Sequence, residues 1–141
     1  MWWDGLSRQP AMREHLRFMQ DLIKLRRTRP GLTGRHAVPY QEHNNDRLLV
    51  TLRGTGDGAD DIVVVVSLNE SVLCDYAIGF PHPGTWHQLL NADDYEVDPA
   101  RRADGIRATV EVNGPAMHTM PASARIVIPA NGVLIFGRKP R

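Results

Sequence analysis

Short apolar segments, each stopped by turn-forming residues, constrain this chain most. From Arg35 onward the candidate strands are His36–Tyr40, Arg47–Arg53, Ile62–Leu68, Cys74–Ile78, Thr85–Leu90, Ile106–Val112, Ala124–Ile128 and Val133–Phe136. Between them stand Asn44-Asn45-Asp46, Gly54-Thr55-Gly56-Asp57-Gly58, Pro81 to Gly84, Asn113-Gly114-Pro115 and Asn131-Gly132. Gly, Asn and Asp tolerate the left-handed backbone of tight turns, and Pro presets one. Short strands with such turns and no helix between them predict an antiparallel β-sandwich. Val63-Val64-Val65-Val66 is apolar on both faces, which suits a central strand. Asp104-Gly105 sits in a charged loop that is read as mobile.

The chain before Arg35 follows another period. From about Ser7 to Thr28, Met12, Leu16, Met19 and Ile23 recur at helical spacing, with Phe18, Leu22 and Leu25 beside them. Ser7 is the expected N-cap, and Pro10 falls in the first turn. Lys24, Arg26, Arg27 and Arg29 suit the negative end of the helix dipole. Pro30-Gly31 stops the helix. The expected fold is therefore mainly β: one amphipathic helix followed by the sandwich. That arc must bury itself on the sandwich or on a partner domain absent from this chain.

Composition removes several classes of function. Seventeen Lys and Arg against sixteen Asp and Glu give a net charge of +1. No electrostatic case exists for nucleic acid or an anionic membrane. No apolar run approaches the roughly 20 residues of a membrane helix, and MWWDGL is no secretory leader. Cys74 is the one cysteine, which excludes an internal disulfide and a CxxC zinc site. It is expected to be a small buried hydrophobe, and a cytoplasmic setting is expected.

The segment Asp75 to Val97, DYAIGFPHPGTWHQLLNADDYEV, raises the question of chemistry most sharply. Adjacent Asp93 and Asp94 cannot flank a sugar together, because neighbours on a strand face opposite ways and a glycosidase pair stands about 5 to 10 Å apart. They are read as turn formers. His82 and His87 supply at most two ligands where a metal needs three or four, so no metal site is expected, and both are read as exposed loop residues. His36, His43 and His118 have no evident partner. No Ser lies in a nucleophile elbow, and the Gly54–Gly58 run precedes a strand and lacks a phosphate-loop Lys. No cofactor is implied. Trp86 is read as a plug of the core, with sugar stacking as the alternative. Tyr95 stands open between packing and stacking on a sugar ring. Trp2 and Trp3 precede the helix with no core in view, and exposed they would form a sticky patch.

The order of these pieces resembles the C-terminal end of α-amylase-superfamily enzymes, glycoside hydrolase family 13. MREHLRFMQDLIKLRRTRPGL, with its L-I-x-L-R-R-x-x-P-x-L ending at Leu22–Leu32, resembles the last helix of a catalytic (β/α)₈ barrel. NNDRLLVTLRG and DDIVVVVSLN resemble the first hairpin of the all-β domain that follows. The block YAIGFPHPGTWHQLLNAD, Tyr76 to Asp93, is similar to the Y-x-I-G-x-P-x-x-G-x-W-x-x-x-L-N-x-D pattern of 1,4-α-glucan (glycogen) branching enzymes. IPANGVLIFGR resembles the closing strand pair, with Ala130 at the second Pro position. After Asp93 the family continues through a Gly- and Asn-rich loop containing Tyr-Gly-Gly, whereas this chain reads Asp94-Tyr95-Glu96-Val97-Asp98-Pro99.

The resemblance implies that residues 1–33 are the terminal helix of a missing barrel and residues 34–141 a C-terminal β-sandwich. It implies a parent hexosyltransferase that cleaves an α-1,4 glucan through a covalent glycosyl intermediate and transfers the chain to a 6-hydroxyl. The family's catalytic carboxylates precede this segment, so no catalytic residue is expected here. The implied role is to stabilise the barrel, its partner in the same parent chain. A glucan-binding module, with Trp86, Tyr95, Trp2 or Trp3 meeting the sugar, or the same domain of another family member such as a maltosyltransferase or amylase, is the alternative.

Overall fold

A computed structural model describes residue 5 and residues 8–138. Helix α1 spans Pro10–Thr28 and a short turn of helix, α2, spans Pro30–Thr33. Eight strands follow: β1 His36–His43, β2 Leu48–Gly54, β3 Ile62–Ser67, β4 Leu73–Phe80, β5 Gly84–Asn91, β6 Thr109–Val112, β7 Ala122–Ile128 and β8 Val133–Gly137. All eight expected strands are present. Two 3₁₀ turns, Ala92–Tyr95 and Pro99–Arg101, interrupt the link from β5 to β6.

Every strand pairing is antiparallel. Six strands form one sheet in the order β1-β2-β3-β8-β5-β6, and β4 pairs with β7 in a second. The molecule has three layers, with α1 on the outer face of the large sheet and the β4–β7 pair on its inner face. The period of two along β3 feeds both interfaces. Val63 and Val65 enter the core between the sheets, whereas Ile62 and Val64 face the helix side. β8 does the same, sending Leu134 and Phe136 inward and Ile135 and Val133 outward. A register shift between Gln88 and Leu90 puts both Leu89 and Leu90 under the helix.

The inner core gathers Phe80, Trp86 and Phe136 with aliphatic residues of both sheets. Side chains of β1 close one flank of the sandwich by standing in for a missing strand. Gln41 Nε2 donates to Ala77 O at 3.0 Å, its Oε1 accepts from Gly79 N at 3.3 Å, and Tyr40 donates to Gly79 O at 2.6 Å. Buried backbone groups on the edge of β4 are thereby satisfied. Burial raises the pKa of Tyr40 above its ordinary value, since the phenolate would lose its water.

Three sequence expectations change. Pro10 takes the first position of α1 as expected, but Gln9 occupies the N-cap and makes no side-chain cap; Ser7 lies outside the described residues. Strand β6 begins at Thr109 rather than Ile106, because the chain first turns through Gly105 at φ +85°. Ile106 still packs against the core from its loop. Cys74 is exposed, not buried. The register of β4 against β7 shifts between Leu73 and Tyr76, and Asp75 adopts φ +51°, so Cys74 and Asp75 leave the ladder.

Candidate functional site

The stretch that raised the question of chemistry is consumed by the fold. Trp86, on β5, is 0% exposed. Its ring lies 5.1 Å from Phe80, and its indole N–H donates to His82 O at 3.0 Å across the Pro83-Gly84 turn. A ring with no exposed face offers nothing for a sugar to stack on, so the core reading holds for Trp86. Asp93 and Asp94 lie in the first 3₁₀ turn, where Asp93 Oδ2 accepts from Ala103 N at 2.6 Å and Asn91 Oδ1 caps Asp93 N at 3.0 Å. They are turn formers.

Tyr95, at the end of that turn, reaches back to the helix. Its hydroxyl donates to Asp21 Oδ2 at 2.8 Å, and Phe18 meets its ring edge-on at 5.3 Å between centroids. The Arg17 guanidinium lies 4.8 Å from the ring centroid and also donates to Asp94 O at 2.9 Å. Tyr95 therefore anchors α1. Beside it open two adjoining hollows of about 460 and 470 Å³ that share Ala92, Tyr95, Glu96, Arg101 and Asn131. Trp2 and Trp3 lie outside the described residues.

The best-built polar constellation is the junction where α1 meets the sandwich. Arg29 pairs with Asp60 at 2.9 Å, with both side chains nearly buried. Asp60 also accepts from Gly31 N at 2.9 Å. Arg53 donates to Leu32 O at 3.1 Å, and Arg26 donates to the same carbonyl at 3.1 Å. Leu25 and Leu32 bury themselves against Ile62, Leu89, Leu90 and Ile135. A Cβ on Gly31 would stand 2.0 Å from Asp60 O, so only glycine lets the two backbones approach. The Pro30-Gly31-Leu32 run is thus more than a helix stop. Sequence reading gave Arg29 to the helix dipole and missed Asp60 and Arg53. A signal was present: paired acids, Asp60-Asp61, at the mouth of a fully apolar strand.

Asp61 completes that pair on the other side. It is buried, and its Oδ2 lies 2.8 Å from His82 Nε2. His82 is therefore tied to the fold rather than free in its loop. His43 also has a partner, Asp46, at 2.9 Å. The same Asp46 carboxylate accepts from Tyr76 at 2.6 Å, clamping the β1–β2 turn onto β4. Burial, together with that carboxylate, pushes Tyr76 up to about 12. Asp57 is shifted down by the Thr55 hydroxyl and by the Ala59 N–H, both donating to its carboxylate. Each of these groups serves a turn. Among the described residues, no three His, Cys, Asp or Glu cluster to hold a metal, and no helix is long and apolar enough to cross a membrane.

Phe18, Leu22 and Leu25 of α1 pack on the sheet. Leu16, Met19 and Ile23, on an adjacent face, are 37%, 39% and 53% exposed.

The sequence family described as "Alpha amylase, C-terminal all-beta domain" matches residues 40–139. The chain belongs to that family. The match begins inside β1 and ends just after β8, so it is the sandwich that carries it, without the helix. Curated relatives of this C-terminal domain are 1,4-alpha-glucan branching enzymes. That of Corynebacterium jeikeium is 32% identical over 71 residues, 50% of this chain and 10% of the relative. That of Xanthomonas campestris is 28% identical over 123 residues, 80% of this chain and 17% of the relative. That of Rhodococcus jostii is 28% identical over 125 residues, 84% and 17% respectively. The chain spans between a tenth and a fifth of the length of these relatives.

Proposed function

We propose that this domain is the non-catalytic C-terminal part of a 1,4-α-glucan branching enzyme, and that it stabilises that enzyme's catalytic barrel. In this reading the parent transfers α-1,4 chains to α-1,6 positions, and residues 1–33 are the last helix of the barrel with residues 34–141 as its β-sandwich cap. The observation that carries the reading is the two-faced helix. One face is locked to the sandwich through Phe18, Leu22 and Leu25, reinforced just past its end by Leu32 and the Arg29–Asp60 pair, while Met12, Leu16, Met19 and Ile23 line a second, largely bare face. A helix shared between two bodies has this distribution, since each apolar face needs its own cover. The conformity of Trp86, Asp93 and Tyr95 to structural roles supports a part without chemistry of its own.

The test is a chimera. The segment of the Xanthomonas campestris enzyme that aligns with this chain is deleted, and this chain is fused in its place. The deletion should leave insoluble or inactive protein. The fusion should recover soluble protein that branches amylose, read as the fall in iodine-complex absorbance, and this chain alone should branch nothing. Branching by this chain alone, or a deletion variant as active as the parent, would overturn the reading.

A second reading has an observation in its favour. The hollows beside Tyr95 bring Glu70, Asp93, Glu96, Arg101 and Asn131 around one aromatic ring, which are groups able to hydrogen-bond sugar hydroxyls. Saturable binding of maltoheptaose there would make the domain an α-glucan-binding module.

A further inference from the structure

The bare face of α1 has a pattern that names its partner. Met12, Leu16, Met19 and Ile23 step by four, three and four residues. At about 100° per residue they fall within about 60° of one another. Spacings of three and four form the apolar seam that packs one helix along another. The rim of the seam is one-sided in charge. Arg13, Lys24, Arg26 and Arg27 lie within about 110° of its centre. Both acids of the helix, Glu14 and Asp21, lie on the opposite side, where Glu14 pairs with Arg17 and Asp21 with Tyr95. Arg13, Lys24 and Arg27 are exposed, and no carboxylate pairs with them among the described residues. Gln20, Ile23, Lys24, Arg27 and Thr28 line a hollow of about 460 Å³ along this rim.

We infer that this face is a docking seam for an amphipathic α-helix whose own apolar stripe is rimmed by Asp and Glu. A second copy of this chain fits poorly, because a symmetric pairing would set basic rim against basic rim, and like charges facing across such a seam destabilise it. The inference rests on the two-body reading above and specifies the body that covers α1: a helix of the same parent polypeptide, acidic along its contact edge.

Two peptides of about three heptads test it. Both carry Leu and Ile along the seam; one has Glu at every rim position and the other Lys. Each is titrated into the full chain and followed by methyl NMR. The Glu peptide should bind saturably, with shifts confined to Met12, Leu16, Met19 and Ile23. The Lys peptide should bind at least ~10-fold more weakly, and the gap should narrow near 1 M salt, where screening acts within ~3 Å. Arg13→Glu, Lys24→Glu and Arg27→Glu combined should reverse the preference. These side chains are exposed, so the fold is retained. Equal binding of the two peptides, or binding of neither, would overturn the inference. So would a dimer in sedimentation that Ile23→Lys dissolves, since the occupant would then be a second copy. The chimera reads branching independently, so failure here with an active chimera removes the acidic-helix partner and leaves the proposed function standing.

Discussion

Replacing Trp86 by alanine should remove a large share of the stability of this domain. The side chain is 0% exposed and stacks within a cluster in which Phe80 also contacts Phe136, at 6.0 Å between centroids. Truncating a buried aromatic costs about 3–5 kcal/mol, because apolar contacts are lost and the cavity collapses only in part. Against a typical total of about 5–15 kcal/mol, that is a large share. In urea, with a slope of about 1–3 kcal/mol per molar, the midpoint should fall by at least ~1 M with the slope unchanged. Trp86→Phe keeps most of the packing but leaves His82 O without the indole N–H donor, which now stands at 3.0 Å. Its cost should be smaller, about 1–3 kcal/mol. Equilibrium urea unfolding followed by far-UV circular dichroism measures both. A Trp86→Ala midpoint within error of the native chain would refute the core assignment and return Trp86 to the candidates for sugar contact.

Further outcomes follow from the junction and the turns. Gly31→Ala places a methyl 2.0 Å from Asp60 O, so it should cost about 1–3 kcal/mol and speed amide exchange across α1, read by hydrogen-exchange mass spectrometry. Asp60→Ala leaves Arg29 nearly buried without this carboxylate, and should cost about 3–5 kcal/mol in urea unfolding. Tyr76 has its folded pKa raised to about 12 against about 10 in the unfolded chain. Its contribution is thus complete below pH ~10 and is lost as pH rises toward 12, because the unfolded state releases the proton first. Tyr76→Phe should therefore lose stability less steeply over that alkaline window, measured as urea midpoint against pH.

Much of the fold was legible because its signals are local. Eight apolar runs and their turn residues marked eight strands, and Val63–Val66 announced the central strand that serves two cores. Partners distant in sequence were not legible. Arg29 and Asp60 are 31 residues apart, and Tyr95 and Asp21 are 74 residues apart. The paired acids Asp60-Asp61 mark a candidate ion pair without naming Arg29, and nothing near Tyr95 points to Asp21. Cys74 was misplaced because the left-handed Asp75 breaks the β4–β7 ladder inside a segment that otherwise reads as one continuous strand. The two faces of α1 illustrate the same limit: periodicity displayed one broad apolar arc, and only the packed sheet separates the covered part from the bare part. Among the candidate site residues, the sequence favoured the core for Trp86 and left Tyr95 open. The strand register buried one and the 3₁₀ turn delivered the other to the helix.

In the reading proposed above, the segment from Asp75 to Val97 folds this domain and holds no glucan site. The most direct test is residue-resolved NMR of the chain titrated with maltoheptaose. No localised shift is expected at several millimolar sugar, with the Trp86 indole proton unmoved and protected from solvent. Saturable shifts centred on Tyr95, Glu96 and Arg101 would contradict it and make this surface a glucan site.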